Sequence, residues 1–412
     1  MLNVKFIGTG AAGVASVIDA IEEGSIQLED ALLLNTTIRD IPLAYKDKAF
    51  IFGEVPGCGK ERNVSKEQLS LQIQNGFECL DNLVDPTTQL VIISASTEGG
   101  TGSGSAELIA RYYREVYGIS VIINSFTGFE DDARGMANTV EFFTDLIPER
   151  ENEEDEEPDL EVGVQIISNK KFLSECKGNK IKAEMMANAD FVNRARIIQG
   201  LTIRESSKNI DITDLVKTVT TPGYMTIESC VLDSHIKNTE QLNKSIKEAL
   251  DNSSSLDSPD KKCIRAAVIV SVKQETMDYL DFDFTVIRDN YGEIYELFTH
   301  IQCVEDDEQE RIDIIAAGMK MPLRDIEQVY DRYKKSMEKV NTSKDAFFNK
   351  VGKMSVKNDS FNTVGKNTTP NSNISTGRAS FLSKLNTKPA EQKDLSSLKE
   401  KFLAGANVEK QY

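Results

Sequence analysis

The sequence is poor in the side chains from which most metal and nucleophilic centres are built. Only two histidines, His235 and His300, occur in 412 residues, and neither has a second histidine at helical spacing. Imidazole metal centres and Ser-His-Asp triads therefore lack raw material, and both residues read as structural or surface histidines. The six cysteines, Cys58, Cys79, Cys176, Cys230, Cys263 and Cys303, contain no CxxC pair. Their scatter excludes a zinc site or a disulfide framework and fits ordinary buried thiols in a reduced compartment. Apolar runs such as Leu90 to Ile93 and Val121 to Ile123 are far short of the roughly 18 residues that a membrane span needs. An excess of positive charge is also missing, since 48 Lys and Arg face 66 Asp and Glu for a net charge of −18. That balance disfavours a globally basic nucleic-acid coat or a binder of anionic membranes, so any basic surface must be local. The opening MLNVKFIGTGAAG enters a strand pattern without a charged segment followed by an apolar one, which predicts a cytoplasmic protein.

What is present is an ordinary globular composition, 40% apolar and 28% charged, on a chain long enough for two or three domains. Short apolar runs at Val4 to Ile7, Leu32 to Leu34, Ala49 to Phe52, Leu90 to Ala95, Val121 to Asn124 and Val164 to Ile167 alternate with helical stretches. The alternation predicts an α/β fold, a Rossmann-like parallel sheet covered on both faces. Ligands of such sheets bind beyond the carboxyl ends of the strands. Those ends carry Gly8-Thr9-Gly10, Asn35-Thr36-Thr37, Gly57-Cys58-Gly59-Lys60, the glycine-rich run from Gly99 to Gly104, and Asn169. A long helical pattern from about Lys180 to Gly200 follows, then a loop with Asn209, Asp211 and Asp214. A smaller α/β part comes next, with strands at Ile264 to Val272, Ile294 to Val304 and Ile312 to Ala317 and helices at Asn238 to Leu250 and Ile326 to Val340. The expected divisions are 1–179, a central helix and connector at 180–208, a second domain at 209–345, and a flexible tail at 346–412. Pro148 to Asp159 holds eight acidic residues in twelve and reads as a solvated loop or a partner site. From about Gly352 the chain is rich in Ser, Thr, Asn and Lys, the mark of a disordered tail. Residues 351–412 carry ten Lys and Arg against five Asp and Glu, a local +5. Leu395 to Leu403 can fold as a short helix on a partner.

GTGAAG, Gly8 to Gly13, satisfies GxGxxG between a strand and a helix, a phosphate-binding pattern. A dinucleotide-binding unit of an NAD-dependent oxidoreductase would also place an acidic residue about twenty positions later on the ribose, where this chain has Asn35. The stronger signal is Ser96 to Ser105, STEGGTGSGS, set between a buried strand and a helix expected to begin near Ala106. Glycines at 99, 100, 102 and 104 let consecutive N–H groups face one anion, while Thr101 and Ser103 add hydroxyl donors and the helix dipole adds positive potential. This reads as a phosphate cradle. It is not a Walker A loop, because GxxxxGK[ST] is absent.

GGTGSG resembles the signature loop GGGTG[ST]G of the tubulin/FtsZ superfamily of GTPases. With Glu98 in place of one family glycine, it looks most like the TubZ branch found on plasmids and phages. The similarity runs in order through about residues 3 to 320, with the tail unmatched. It implies that Gly10, Ala11 and Ala12 approach the phosphates, although Val14 stands where the family has an asparagine. Asn35 lies among the implied nucleotide contacts. Gly57, Gly59 and Lys60 resemble the family's γ-phosphate loop, and Lys60 reads either as a γ-phosphate sensor or as a solvated surface lysine. Glu130 and Arg134 in SFTGFEDDAR match the ribose-side acid and its basic neighbour, and Asn169 matches the guanine-reading asparagine. Met186 and Asp190 satisfy the spacing of the base contacts on the central helix, with Asp190 alternatively a solvent-facing residue. Asn209-Ile210-Asp211-Ile212-Thr213-Asp214-Leu215 resembles the family's catalytic synergy loop. Two carboxylates three apart can polarise one water, or else simply favour a helix start.

The resemblance implies that this loop completes the active site of the next subunit in a head-to-tail filament, with GTP or GDP and Mg²⁺ in the cradle. It further implies DNA partitioning, in which a DNA-binding adaptor engages the filament through the C-terminal tail and DNA is met indirectly, with no membrane partner. A cell-division ring protein of the FtsZ type is the alternative. It is weakened by the basic tail, since a division-type tail would end in a short apolar, acidic peptide.

Overall fold

The computed structural model describes residues 2–53, 57–147, 160–200, 212–232, 236, 238–259, 262–305 and 307–355. The acidic segment 148–159, Asn209, Asp211, His235 and the tail beyond 355 lie outside them. In chain order the described elements are β1 (Val4–Thr9), α1 (Gly10–Glu22), β2 (Ala31–Asn35), β3 (Ala49–Ile51), α2 (Arg62–Gln74), α3 (Glu78–Asp81), β4 (Leu90–Ser96) and α4 (Thr101–Tyr112). They continue with β5 (Ser120–Thr127), α5 (Ala133–Leu146), β6 (Gly163–Ser168), α6 (Asn169–Glu175), α7 (Lys180–Gln199), α8 (Ile212–Val219) and β7 (Gly223–Val231). The last are α9 (Thr239–Asp251), β8 (Cys263–Val272), α10 (Gln274–Tyr279), α11 (Thr285–Tyr291), β9 (Ile294–Cys303), β10 (Arg311–Met319) and α12 (Leu323–Ser355).

The ten strands form one sheet in the order β3-β2-β1-β4-β5-β6-β7-β10-β8-β9. From β3 to β7 every neighbour is parallel, whereas β10 runs antiparallel to both β7 and β8. Side chains alternate faces along each strand, and both faces are covered, which is why these strands read as continuous apolar runs. Ile7, Val91, Ile93 and Ile123 enter one core with α4 and α5, while Phe6, Leu90, Ile92 and Ile122 enter the other with α1, α7 and α8. The smaller second half joins the first edge to edge, through the pairs Gly163 with Gly223 and Val164 with Tyr224.

Several elements differ from the sequence expectation, among them α12, which runs to Ser355 instead of ending at Val340 and so enters the stretch from 346 expected as a flexible tail. The helix expected near Ala106 begins five residues earlier, at Thr101. Its glycines are poor helix formers, but the packing requires them: a Cβ on Gly102 would lie 2.8 Å from the Thr9 carbonyl oxygen, and one on Gly104 2.2 Å from that of Arg62. Strand β7 was not expected at all, because Thr226, Glu228 and Ser229 break its apolar run. Burial of Glu228 is made possible by the Ser253 and Ser255 hydroxyls, at 2.5 and 2.9 Å.

Candidate functional site

The carboxyl ends of β1, β4, β5 and β6 lie on one side of the sheet, and the N-termini of α1 and α4 meet there. β1 passes into α1 without a loop, with Gly10 at φ +73°, in the left-handed region that favours glycine. A Cβ on Gly10 would stand 2.8 Å from the Gly102 nitrogen, so the two glycine-rich turns touch. Ala11 and Ala12 are exposed beside this contact. Thr9 Oγ1 and Ser105 Oγ lock the two turns together at 2.6 Å. The N–H groups of the first turn of α4 have no partner within the helix, which makes this end an anion-binding position. Gly99 has open space around it, whereas Ser103 turns its hydroxyl back onto the Gly99 carbonyl. Thr101 Oγ1 meets Thr36 Oγ1 at 2.8 Å and donates toward Cys58 Sγ at 3.7 Å.

Glu98 is turned away from the glycine-rich start of α4. Its Oε1 accepts the Glu130 N–H at 2.8 Å, and a Cβ on Gly128 would collide with its carboxyl group at 2.1 Å. Burial pushes its pKa up against the lowering effect of that N–H and of Lys60.

The loop holding Gly57, Gly59 and Lys60 lies against the start of α4: a Cβ on Gly100 would be 2.9 Å from the Lys60 Cα. Lys60 itself is left-handed, at φ +64°, and its ammonium pairs with Asp132 at 2.5 Å with both side chains close to half exposed. The Lys60 hydrogen bond, with help from the Gly135 N–H, holds the Asp132 carboxyl below its usual range. Arg134 donates to the Lys60 carbonyl at 3.2 Å and pairs with Glu61. Glu130 is bound by Lys170 at 3.2 Å and by Arg332 of α12 at 2.7 Å. Both residues matched to the ribose side therefore already have protein partners.

At these strand ends two buried polar atoms lack a hydrogen-bond partner among the described residues. Asn35, at the end of β2, accepts the Thr36 N–H but leaves Nδ2 unpaired, and Asn169 at the start of α6 leaves Oδ1 unpaired. Each can pair with a ligand. On α7, Asp190 is not solvent-facing: its carboxylate binds Arg194 at 3.0 Å and the Ser254 hydroxyl at 2.6 Å. Met186 lies 3.2 Å from Cys176 Sγ. Of the six cysteines all are buried except Cys303.

Asp214 occupies the first turn of α8, with Lys217 at 3.2 Å. The helix leads into the amino end of β7, which pairs with the amino end of β6. Asp214 therefore belongs to the opposite side of the sheet from the cradle, and α7, about 30 Å long at 20 residues, spans the distance between them. Sequence reasoning missed Asp132 and Asn138 on α5. Asp132 had a signal, an aspartate N-cap before a helical run; Asn138 had none.

This strand order, with a glycine-built helix start at the carboxyl ends and a long helix running back beneath the sheet, is the tubulin/FtsZ fold. No model of a known protein family matches the sequence. The cell division protein FtsZ of Porphyromonas gingivalis (strain ATCC BAA-308 / W83) is 23% identical over 252 residues, 60% of this chain and 51% of that protein. The chain spans about half the length of the curated relatives it matches. A GTPγS-form protofilament of Bacillus thuringiensis serovar israelensis TubZ superposes with a TM-score of 0.66 at 16% identity, covering 83% of this chain and 94% of the other. The GTPγS-bound protofilament of CetZ2 from Haloferax volcanii gives 0.63 at 16% identity, covering 82% and 100%. The chain thus has the fold of the TubZ and CetZ proteins.

Proposed function

We propose that this chain binds GTP at the carboxyl ends of β1, β4, β5 and β6, assembles head to tail into filaments, and hydrolyses GTP at the junction between subunits. What supports the reading is that the glycine-built start of α4 stands at one end of the sheet and Asp214 toward the other. A site so divided is completed only when one copy stacks on the next.

In this reading the first-turn N–H groups from Gly99 to Gly104 hold the phosphates, with Gly10, Ala11 and Ala12 closing over them. Lys60 exchanges Asp132 for the terminal phosphate, and Asn35 Nδ2 and Asn169 Oδ1 take up ligand atoms, Asn169 on the guanine. Glu130 and Arg134 reach the nucleotide by exchanging their present partners, as does Asp190. Asp211 and Asp214 of the adjoining subunit, with Asn209, orient and polarise the attacking water, so catalysis is positioning and charge stabilisation. Bound Mg²⁺ would offset phosphate charge. Among the described residues no three His, Cys, Asp or Glu side chains are grouped to hold a metal. The functional divisions are 1–179 for nucleotide, 180–208 for the connection, 209–345 for activation and 346–412 for partners.

The finer reading is DNA partition for a plasmid or phage, through an adaptor bound by the +5 tail. The curated FtsZ relatives favour a division-ring reading instead. Retention of GTP against NAD by the purified protein, followed by electron microscopy with and without GTP, tests the core claim. GTP-dependent filaments are expected; retention of NAD alone, or no polymer with GTP, would refute it.

A further inference from the structure

Three side chains at the N-terminal end of α5 converge on one residue of the neighbouring loop. Asp132 holds the Lys60 ammonium at 2.5 Å, Arg134 Nε donates to the Lys60 carbonyl at 3.2 Å, and Asn138 Nδ2 donates to the same carbonyl at 2.9 Å. The Asn138 amide also reaches the carbonyls of Glu98, at 3.1 Å, and Gly99, at 3.3 Å. It is fully buried. Its orientation is forced, because turning Oδ1 inward would set an acceptor against three carbonyl oxygens. In the observed orientation Oδ1 is buried without a partner, an unfavourable arrangement that only the donor side can offset. One amide therefore ties the loop of Lys60 to the start of the phosphate cradle, two segments about forty residues apart in sequence.

We infer that Asn138 is a positioning residue for recognition of the terminal phosphate, an inference that rests on the nucleotide reading above. Gly59 and Lys60 are both left-handed, at φ +55° and +64°, and a lysine adopts that conformation only at a cost. Donors from α5 hold the loop in this form by its backbone. The Lys60 side chain, 49% exposed, is meanwhile held at its tip by Asp132 alone among the ion pairs described and is able to swing. The result is a fixed base carrying a movable charge above α4. A diphosphate seated in the cradle ends short of that charge, whereas a triphosphate extends to it. Loosening the base must therefore weaken binding of the triphosphate and spare the diphosphate.

The test compares binding of labelled GTPγS and GDP by the full chain. Asn138→Ala should lower GTPγS affinity about tenfold, the equivalent of roughly one net hydrogen bond, and leave GDP affinity within about twofold. Lys60→Ala should show the same selective loss. The double variant should be no weaker than Lys60→Ala alone, since Asn138 acts through Lys60. Should Asn138→Ala not fold, Asn138→Ser keeps one small hydroxyl donor at the same buried position and predicts the same selectivity at smaller size. Equal losses for both nucleotides, or additive effects in the double variant, would overturn the inference while the nucleotide reading stands. Wild-type protein that retains neither nucleotide would overturn both.

Discussion

Gly13 and Gly99 separate two tasks that a glycine-rich pattern leaves merged. A Cβ on Gly13 would sit 2.0 Å from the Ser94 carbonyl oxygen, so α1 approaches β4 only because that atom is absent. Gly13→Ala should destabilise the fold by about 1–3 kcal/mol or more, read from the urea midpoint. A Cβ on Gly99 would meet nothing within 4 Å and φ is ordinary, so Gly99→Ala should keep the wild-type midpoint yet weaken GTP binding by narrowing the proposed phosphate position. Equal behaviour of the two variants would contradict this division. Asp214 makes a different case, since its carboxylate contacts only Lys217 among the described ion pairs, at 3.2 Å on a half-exposed surface. Asp214→Ala should therefore leave stability nearly unchanged and GTP binding intact, with the hydrolysis rate reduced about a hundredfold, the scale of a lost general base. Filaments should persist longer. Wild-type turnover by the variant would remove Asp214 from the mechanism.

At the scale of elements, α5 is the hub. Its first turn pins the Lys60 loop, its last turn carries Asp145, and its flank packs along α12. Burial alone would raise the Asp145 pKa, but Arg62 at 2.7 Å and Lys66 at 2.9 Å overcome it and hold the carboxyl below the usual carboxylate range. A depressed folded value contributes stability that is present above the unfolded pKa and fades as pH falls through the folded one. Wild type should accordingly lose more stability between pH 7 and pH 3 than Asp145→Asn does, by urea titration at the two values; equal losses would contradict the pairing. The elements were largely legible in sequence because a sheet buried on both faces writes itself as apolar runs, and nine of the ten strands announced themselves that way. β7 escaped because Glu228 and its serine partners satisfy polarity through contacts 25 and 27 residues away. The start of α4 escaped because the propensity of its glycines opposes what close packing against Thr9 and Arg62 demands. In the candidate site, the meeting of two glycine-rich turns was signalled by local spacing, while Asn138 was not, since its partners lie 39 to 78 residues distant. The present partners of Glu130, Lys170 and Arg332, were invisible for the same reason.

At the scale of the whole molecule, charge is divided: the tail carries +5 against −23 for the remainder. A tail of that sign is repelled from neither an acidic adaptor patch nor DNA phosphate; salt would weaken both contacts, and the DNA contact more steeply through counterion release. Deleting residues 353–412 should leave polymerisation largely intact and abolish recruitment to an adaptor–DNA complex. Unchanged co-sedimentation of the truncated protein with that complex would refute the partition reading without touching the GTPase one. Among the described residues no helix is long and apolar enough to cross a membrane. The account turns most on the claim that the site is divided between copies. Specific GTP hydrolysis measured across a range of protein concentrations addresses it directly: the rate per molecule should rise steeply once filaments form, and a rate per molecule that stays constant down to the most dilute samples would show a site complete within one chain.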